Sequence, residues 1–183
     1  KVGKATVHWL DETRAMMLST NNSDYSLRRP SRRLLGQGLY VCTLRTEALG
    51  GLAIGFDMSG SVSDDDAARI AAELQGVVDE CTPEWVEVAY FDTKVARPTQ
   101  RFERGEKLVL KPRGGGGTRF APVFEHFCKV AEAEQVCGMI MFTDMESSDL
   151  MSLEEPPFPV IWGNIGRSDK CRIPFGTMVR IAL

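Results

Sequence analysis

The chain has 183 residues, a formal net charge of −3 and 43% hydrophobic content, which is the balance of one globular domain, or one domain with an appendage. The small negative charge gives no global attraction for nucleic acid or an anionic membrane surface. No apolar run approaches the roughly 20 residues of a spanning helix, and Lys1–Leu10 carries no leader-like apolar stretch.

Residues 1–50 differ in character from the rest. Ala5–Leu18 has helical spacing, with Val7, Leu10 and Met17 as apolar contacts, and Asn21–Asp24 ends it. Ser26–Arg33 then gathers Arg28, Arg29, Arg32 and Arg33. Such a patch binds phosphate or an acidic partner, or is a solvated face paired to the protein's own acids. No aromatic residue interleaves the arginines, which favours the solvated face.

From Gly51 onward, strand and helix patterns alternate over 51–183. Leu52–Phe56 is a short apolar strand ending at Asp57. Ser63 with Asp66 three residues on opens a helix, and Ala67, Ile70, Ala71, Leu74, Val77 and Val78 give it one apolar face. Pro83 marks its end, and Trp85–Phe91 is a second strand. Thr93–Leu110 is polar and reads as a hairpin or edge strand around Arg104-Gly105. After Gly114–Gly117 and Thr118, the residues Phe120, Val123, Phe124, Phe127 and Ala131 form a second helical stripe, with Pro122 in its first turn. Val136–Phe142, Pro159–Gly163 and Thr177–Ala182 are further strands. This alternation predicts an α/β fold: a doubly wound, mostly parallel sheet with helices on both faces and an N-terminal helical extension. Ligands in such sheets bind outside the carboxyl ends of the strands, where strand order reverses.

Three oxygen-bearing loops fall at those positions: Asp57-Met-Ser59-Gly-Ser61, the glycine run with Thr118, and Thr143-Asp144. Alone, each is an ordinary turn, linker or helix cap. Together Asp57, Ser59, Ser61, Thr118 and Asp144 supply two carboxylates and three hydroxyls. That set suits a hard cation such as Mg2+, and equally Mn2+ or Ca2+, with a position left open. Asp92, at the end of the second strand, either lines the rim or serves the following turn.

Other chemistries lack their residues. A phosphate-gripping loop needs lysine after the glycines, and here Thr118-Arg119 follows. An aspartyl-phosphatase motif needs a second acid where Ser59 stands. A nucleophile elbow needs glycine where Asp57 stands. His8 and His126 are the two histidines, and no His-Glu-x-x-His occurs; His126 reads as structural. The five cysteines are widely spaced without a Cys-x-x-Cys pair, as expected for reduced thiols in a cytoplasmic protein.

Asp57-x-Ser59-x-Ser61, Thr118 and Asp144 resemble the metal-ion-dependent adhesion site of von Willebrand factor type A (VWA) domains. Leu44–Glu47, Lys111–Phe124, Pro159–Trp162 and Pro174–Ile181 resemble the VWA-like C-terminal domain of a bacterial and phage family of predicted metallopeptidases. The resemblance implies that residues 1–50 are a segment trailing a preceding helical domain. The peptidase motif is absent here, so the expectation is not an enzyme but a metal-dependent interaction domain, with a metal-dependent phosphoester or peptide hydrolase, or a metal-free structural domain that keeps the loops only as turns, as the alternatives. The interaction domain's metal would be completed by an Asp or Glu of a partner protein, and the family's association with MoxR-type AAA+ ATPases implies an adaptor role. Arg119, Met145 and Glu146 would form the rim that selects the partner. Arg119 stands where the family commonly has an acid, and Met145-Glu146 where glycine is common.

Overall fold

The apolar runs become the strands of one sheet, and the amphipathic stripes become the helices that cover it. The computed structural model describes residues 9–20, 25–30, 42–44, 49–58, 64–96, 98–110, 117–166 and 171–181. Ser59, Ser61, Ser63, Arg32, Arg33 and Gly114–Gly116 lie outside the described residues. In chain order, α1 (Trp9–Thr20) is followed by β1 (Tyr25–Pro30) and β2 (Cys42–Leu44), an antiparallel pair that the sequence reading did not anticipate. The sheet proper then takes β3 (Gly51–Asp57), α2 (Asp64–Cys81), β4 (Trp85–Phe91), β5 (Gln100–Glu103), α3 (Ala121–Ala133), β6 (Val136–Thr143), β7 (Val160–Asn164) and β8 (Thr177–Arg180).

The strand order is β5-β4-β3-β6-β7-β8. All neighbours run parallel except β4 and β5, which are antiparallel. The edge strand expected within Thr93–Leu110 is β5. Strands β3, β4, β6 and β7 are buried along their whole length, as strands covered on both faces must be.

Alternate residues point to opposite faces. One face carries Leu52, Ile54, Phe56, Val88, Ile140 and Phe142, packed with α1 and α2. The other carries Ala53, Phe91, Met139, Met141 and Trp162, packed with Phe120, Val123, Phe124 and Phe127 of α3 and its entry. The α2 stripe from Ala67 to Val78 is buried as its spacing predicts. α1 runs antiparallel to β6: Trp9 meets the Phe142 ring edge-on at 5.7 Å, while Met16 lies over Gly138 near the start of the strand. A Cβ at Gly138 would come within 2.5 Å of Met16 Sδ, so a bare glycine lets the helix sit this close. Among the described residues, no helix is long and apolar enough to cross a membrane.

Candidate metal centre

β3 lies at the middle of the sheet. From it the chain builds outward on one side through β4 and β5, then crosses by α3 to begin the other side at β6. The carboxyl ends of β3 and β6 therefore flank the point where strand order reverses, which is where such sheets hold ligands.

Asp57 ends β3 and is 1% exposed. A carboxylate at that depth requires hydrogen-bond donors or a cation. Two hydroxyls from distant parts of the chain donate to it. Thr143, the last residue of β6 and fully buried, reaches Asp57 Oδ2 at 2.7 Å across 86 residues of sequence. The Thr143 oxygen also accepts the Met145 N–H at 3.0 Å, which fixes its rotamer. Thr118 Oγ1 lies 3.2 Å from Asp57 Oδ1 and 3.3 Å from Oδ2, so its single proton is shared between the two oxygens.

Thr118 is held from both sides. The N–H of Arg119 donates to the Asp92 carbonyl at 2.8 Å. The Thr118 carbonyl accepts the Ser147 hydroxyl at 2.9 Å. Ser147 also contacts Asp149 Oδ1, and Asp149 Oδ2 accepts the N–H groups of Phe120 and Ala121 at 2.9 and 3.0 Å. Asp149 thus caps α3 from a loop 29 residues downstream and ties that loop to Thr118. Partial burial pushes the Asp149 carboxyl up, but hydrogen bonds from Ser147 and from backbone N–H groups outweigh it and hold the group below its ordinary range.

Asp144 directly follows Thr143 and is half-buried. Its Oδ1 accepts the Glu146 N–H at 3.0 Å, an Asx turn that sets the carboxylate's direction. Between them Met145 adopts φ 67°. Asp57 and Thr118 are thus brought into contact, and Asp144 stands one residue beyond Thr143, while Ser59 and Ser61 lie outside the described residues. Arg119 and Glu146 are exposed. Met145, expected on the rim, is 6% exposed and packs in the core beneath α3. Asp92 serves its turn: its carboxylate accepts the Lys94 N–H at 2.9 Å. His126 bonds Glu87 at 2.7 Å, and Glu87 pairs in register with Arg101 on β5 and with Ala53 on β3, about 13 Å down the strand from Asp57 at ~3.3 Å per residue.

Among the described residues, no group of three or more His, Cys, Asp or Glu is placed to hold a metal. The donors at the switch point are of another kind: Asp57, Asp144 and the Thr118 hydroxyl, oxygens only. That chemistry fits a hard cation and not a soft one. Sequence reasoning missed the positioning roles of Thr143, Ser147 and Asp149. The Ser147-x-Asp149 spacing is a recognisable capping pair, but nothing local says that the helix it caps lies 29 residues upstream.

An open, mostly parallel six-stranded sheet packed with helices on its faces is the architecture of a VWA-like domain. Residues 52–182 match the family described as VWA-like domain (DUF2201), and the chain belongs to that family. The crystal structure of the ArnB paralog VWA2 from Sulfolobus acidocaldarius is similar in fold, with a TM-score of 0.52 at 15% identity. The likeness covers 66% of this chain and 36% of that one, so this chain matches little more than a third of that protein's length. No curated protein matches the sequence.

Proposed function

We propose that this domain is a metal-dependent protein-interaction module and not an enzyme. The observation that carries the reading is the convergence of Thr118 and Thr143 on the buried carboxylate of Asp57, from 61 and 86 residues away. Asp57, Ser59, Ser61, Thr118 and Asp144 would hold one Mg2+, with Mn2+ or Ca2+ as substitutes. A bound divalent cation would offer an open position to an Asp or Glu of a partner protein. Arg119 and Glu146, exposed beside the crevice, would choose among such partners: Arg119 attracts an acidic approach and Glu146 opposes it. His126 is engaged with Glu87 well down the sheet, which supports binding over general-base chemistry at this end.

The same proposal places the domain in the cytoplasm, as an adaptor whose partner class is a MoxR-type AAA+ ATPase. Cys81, Cys128, Cys137 and Cys171 are not disulfide-bonded, and burial pushes the Cys137 thiol up to about 12, which leaves it inert. Reduced thiols of this kind suit a reducing compartment.

Calorimetric titration with MgCl2 and MnCl2 tests the site. The expected result is one ion per chain, lost in Asp57→Ala and weakened in Thr118→Val, with the far-ultraviolet circular dichroism of both variants unchanged. Equal binding by wild type and Asp57→Ala, or none by the wild type, rejects the reading. Capture of a partner from lysate that EDTA abolishes is the expected second result.

A further inference from the structure

At the end of the sheet opposite the carboxyl-end crevice, a cavity of about 420 Å³ opens between α1 and the starts of β7 and β8. Its floor is apolar: Met16, Phe158, Val160 and Ile161 are each less than 10% exposed, and Phe175 closes one side. Its lip is acidic. Glu12 comes from α1 and Glu155 from the loop before β7.

Several other acids of the sheet and its helices are engaged in ion pairs. Asp11 and Glu80 pair with Arg14. Glu103 and Glu134 pair with Arg101, and Glu87 holds His126. Glu12 and Glu155 make no ion pair among the described residues. An apolar slot with two uncompensated carboxylates at its mouth matches one kind of side chain: a long aliphatic stem carrying a cation. Arginine fits best, because its fork can meet a carboxylate with two hydrogen bonds. The volume lies within the range of sites that enclose a small group.

We infer that this groove is a second binding site, one that takes an arginine- or lysine-bearing segment of a partner protein with apolar residues beside the cation. The stem would lie on Phe158 and Ile161 and the cation between Glu12 and Glu155, with the Ser19 and Thr177 hydroxyls alongside. The site is independent of the metal. Its entrance is at the amino ends of β7 and β8, whereas Asp57 and Thr143 stand at the carboxyl ends of their strands.

Fluorescence polarisation with labelled acetyl-Leu-Arg-Leu-Arg-Leu amide, and its glutamate counterpart as control, tests the inference on the full chain. Saturable binding of the arginine peptide alone is expected, weakened by salt. The double variant Glu12→Gln/Glu155→Gln should weaken it about tenfold. Ala15→Phe, which fills the groove from an exposed helix position, should abolish it. EDTA and Asp57→Ala should leave it unchanged, which separates this site from the metal centre. Equal binding of the glutamate peptide, no saturable binding, or indifference to both groove variants overturns the inference. A gain in peptide affinity on changing Arg28, Arg29, Arg32 and Arg33 to alanine would also overturn it, by making the chain's own arginine segment the occupant.

Discussion

Met145 sits between Asp144 and Glu146 with φ 67°, a left-handed conformation that costs an L-residue roughly 1–2 kcal/mol. Its side chain is 6% exposed, and burying a methionine offsets about 1.5–3 kcal/mol. The residue is therefore kept by its packing against the cost of its backbone. Met145→Ala discards the packing and keeps the strain, whereas Met145→Gly discards both. Both variants should be less stable than the wild type in urea unfolding, with glycine about 0.5–1 kcal/mol above alanine, the reverse of the usual order. Alanine matching or exceeding glycine would show that the turn is unstrained. At this scale the sequence was partly legible. Asp57, Thr118 and Asp144 could be found because a strand-end carboxylate or hydroxyl is a local signal. Thr143 and Ser147 could not, because their roles exist only once β6 lies beside β3 and the post-β6 loop reaches Thr118.

The helix α3 shows the same limit one level up. Its apolar stripe and Pro122 are legible, and Val123, Phe124 and Phe127 are buried as their spacing requires. Its start is not legible, because Phe120 supplies no side-chain cap and the free N–H groups of a helix start must find acceptors. Asp149 supplies them from across the crevice. Removing such a cap costs about 1 kcal/mol, so Asp149→Ala should lower stability by that amount at pH 7. The Asp149 carboxyl titrates below its ordinary range in the folded state. A depressed carboxylate contributes stability that is fully present above its unfolded value, about 3.9, and is lost as pH falls through the lower folded value. The difference between wild type and Asp149→Ala should therefore be constant from pH 7 to about pH 5 and shrink below about pH 4. Urea midpoints taken across that range measure it, and a difference that stays level down to pH 2 would exclude a charged cap. Because Asp149 also holds Ser147 against the Thr118 carbonyl, the variant should also weaken the Mg2+ binding proposed for this crevice.

For the whole molecule, the issue is where the folding unit begins. The family match starts at residue 52, yet the core does not. Trp9, Met16 and Met17 are at most 7% exposed and belong to the same apolar cluster as Ile54, Ile140 and Phe142. Three side chains of that size contribute on the order of 4.5–9 kcal/mol of burial at ~1.5–3 kcal/mol each, comparable with the roughly 5–15 kcal/mol net stability of a typical domain. Little before residue 52 warns of this: α1 has only a weak stripe, and its docking depends on Gly138 and Phe142, which lie more than a hundred residues away. Trp9 also packs on Phe142, the residue before Thr143, so α1 supports the strand end that delivers a hydroxyl to Asp57. Trp9→Ala should cost about 3–5 kcal/mol, as large-to-small core changes do, in a single urea transition by circular dichroism. It should also loosen the proposed Mg2+ binding while leaving Asp57, Thr118 and Asp144 untouched. A loss below about 1 kcal/mol, or an early separate transition, would mean that α1 rests on the sheet without belonging to its cooperative unit. The larger loss would place the working boundary of this VWA-like domain at or before Trp9, with α1 as the helix that sets the β6 end of the proposed metal centre.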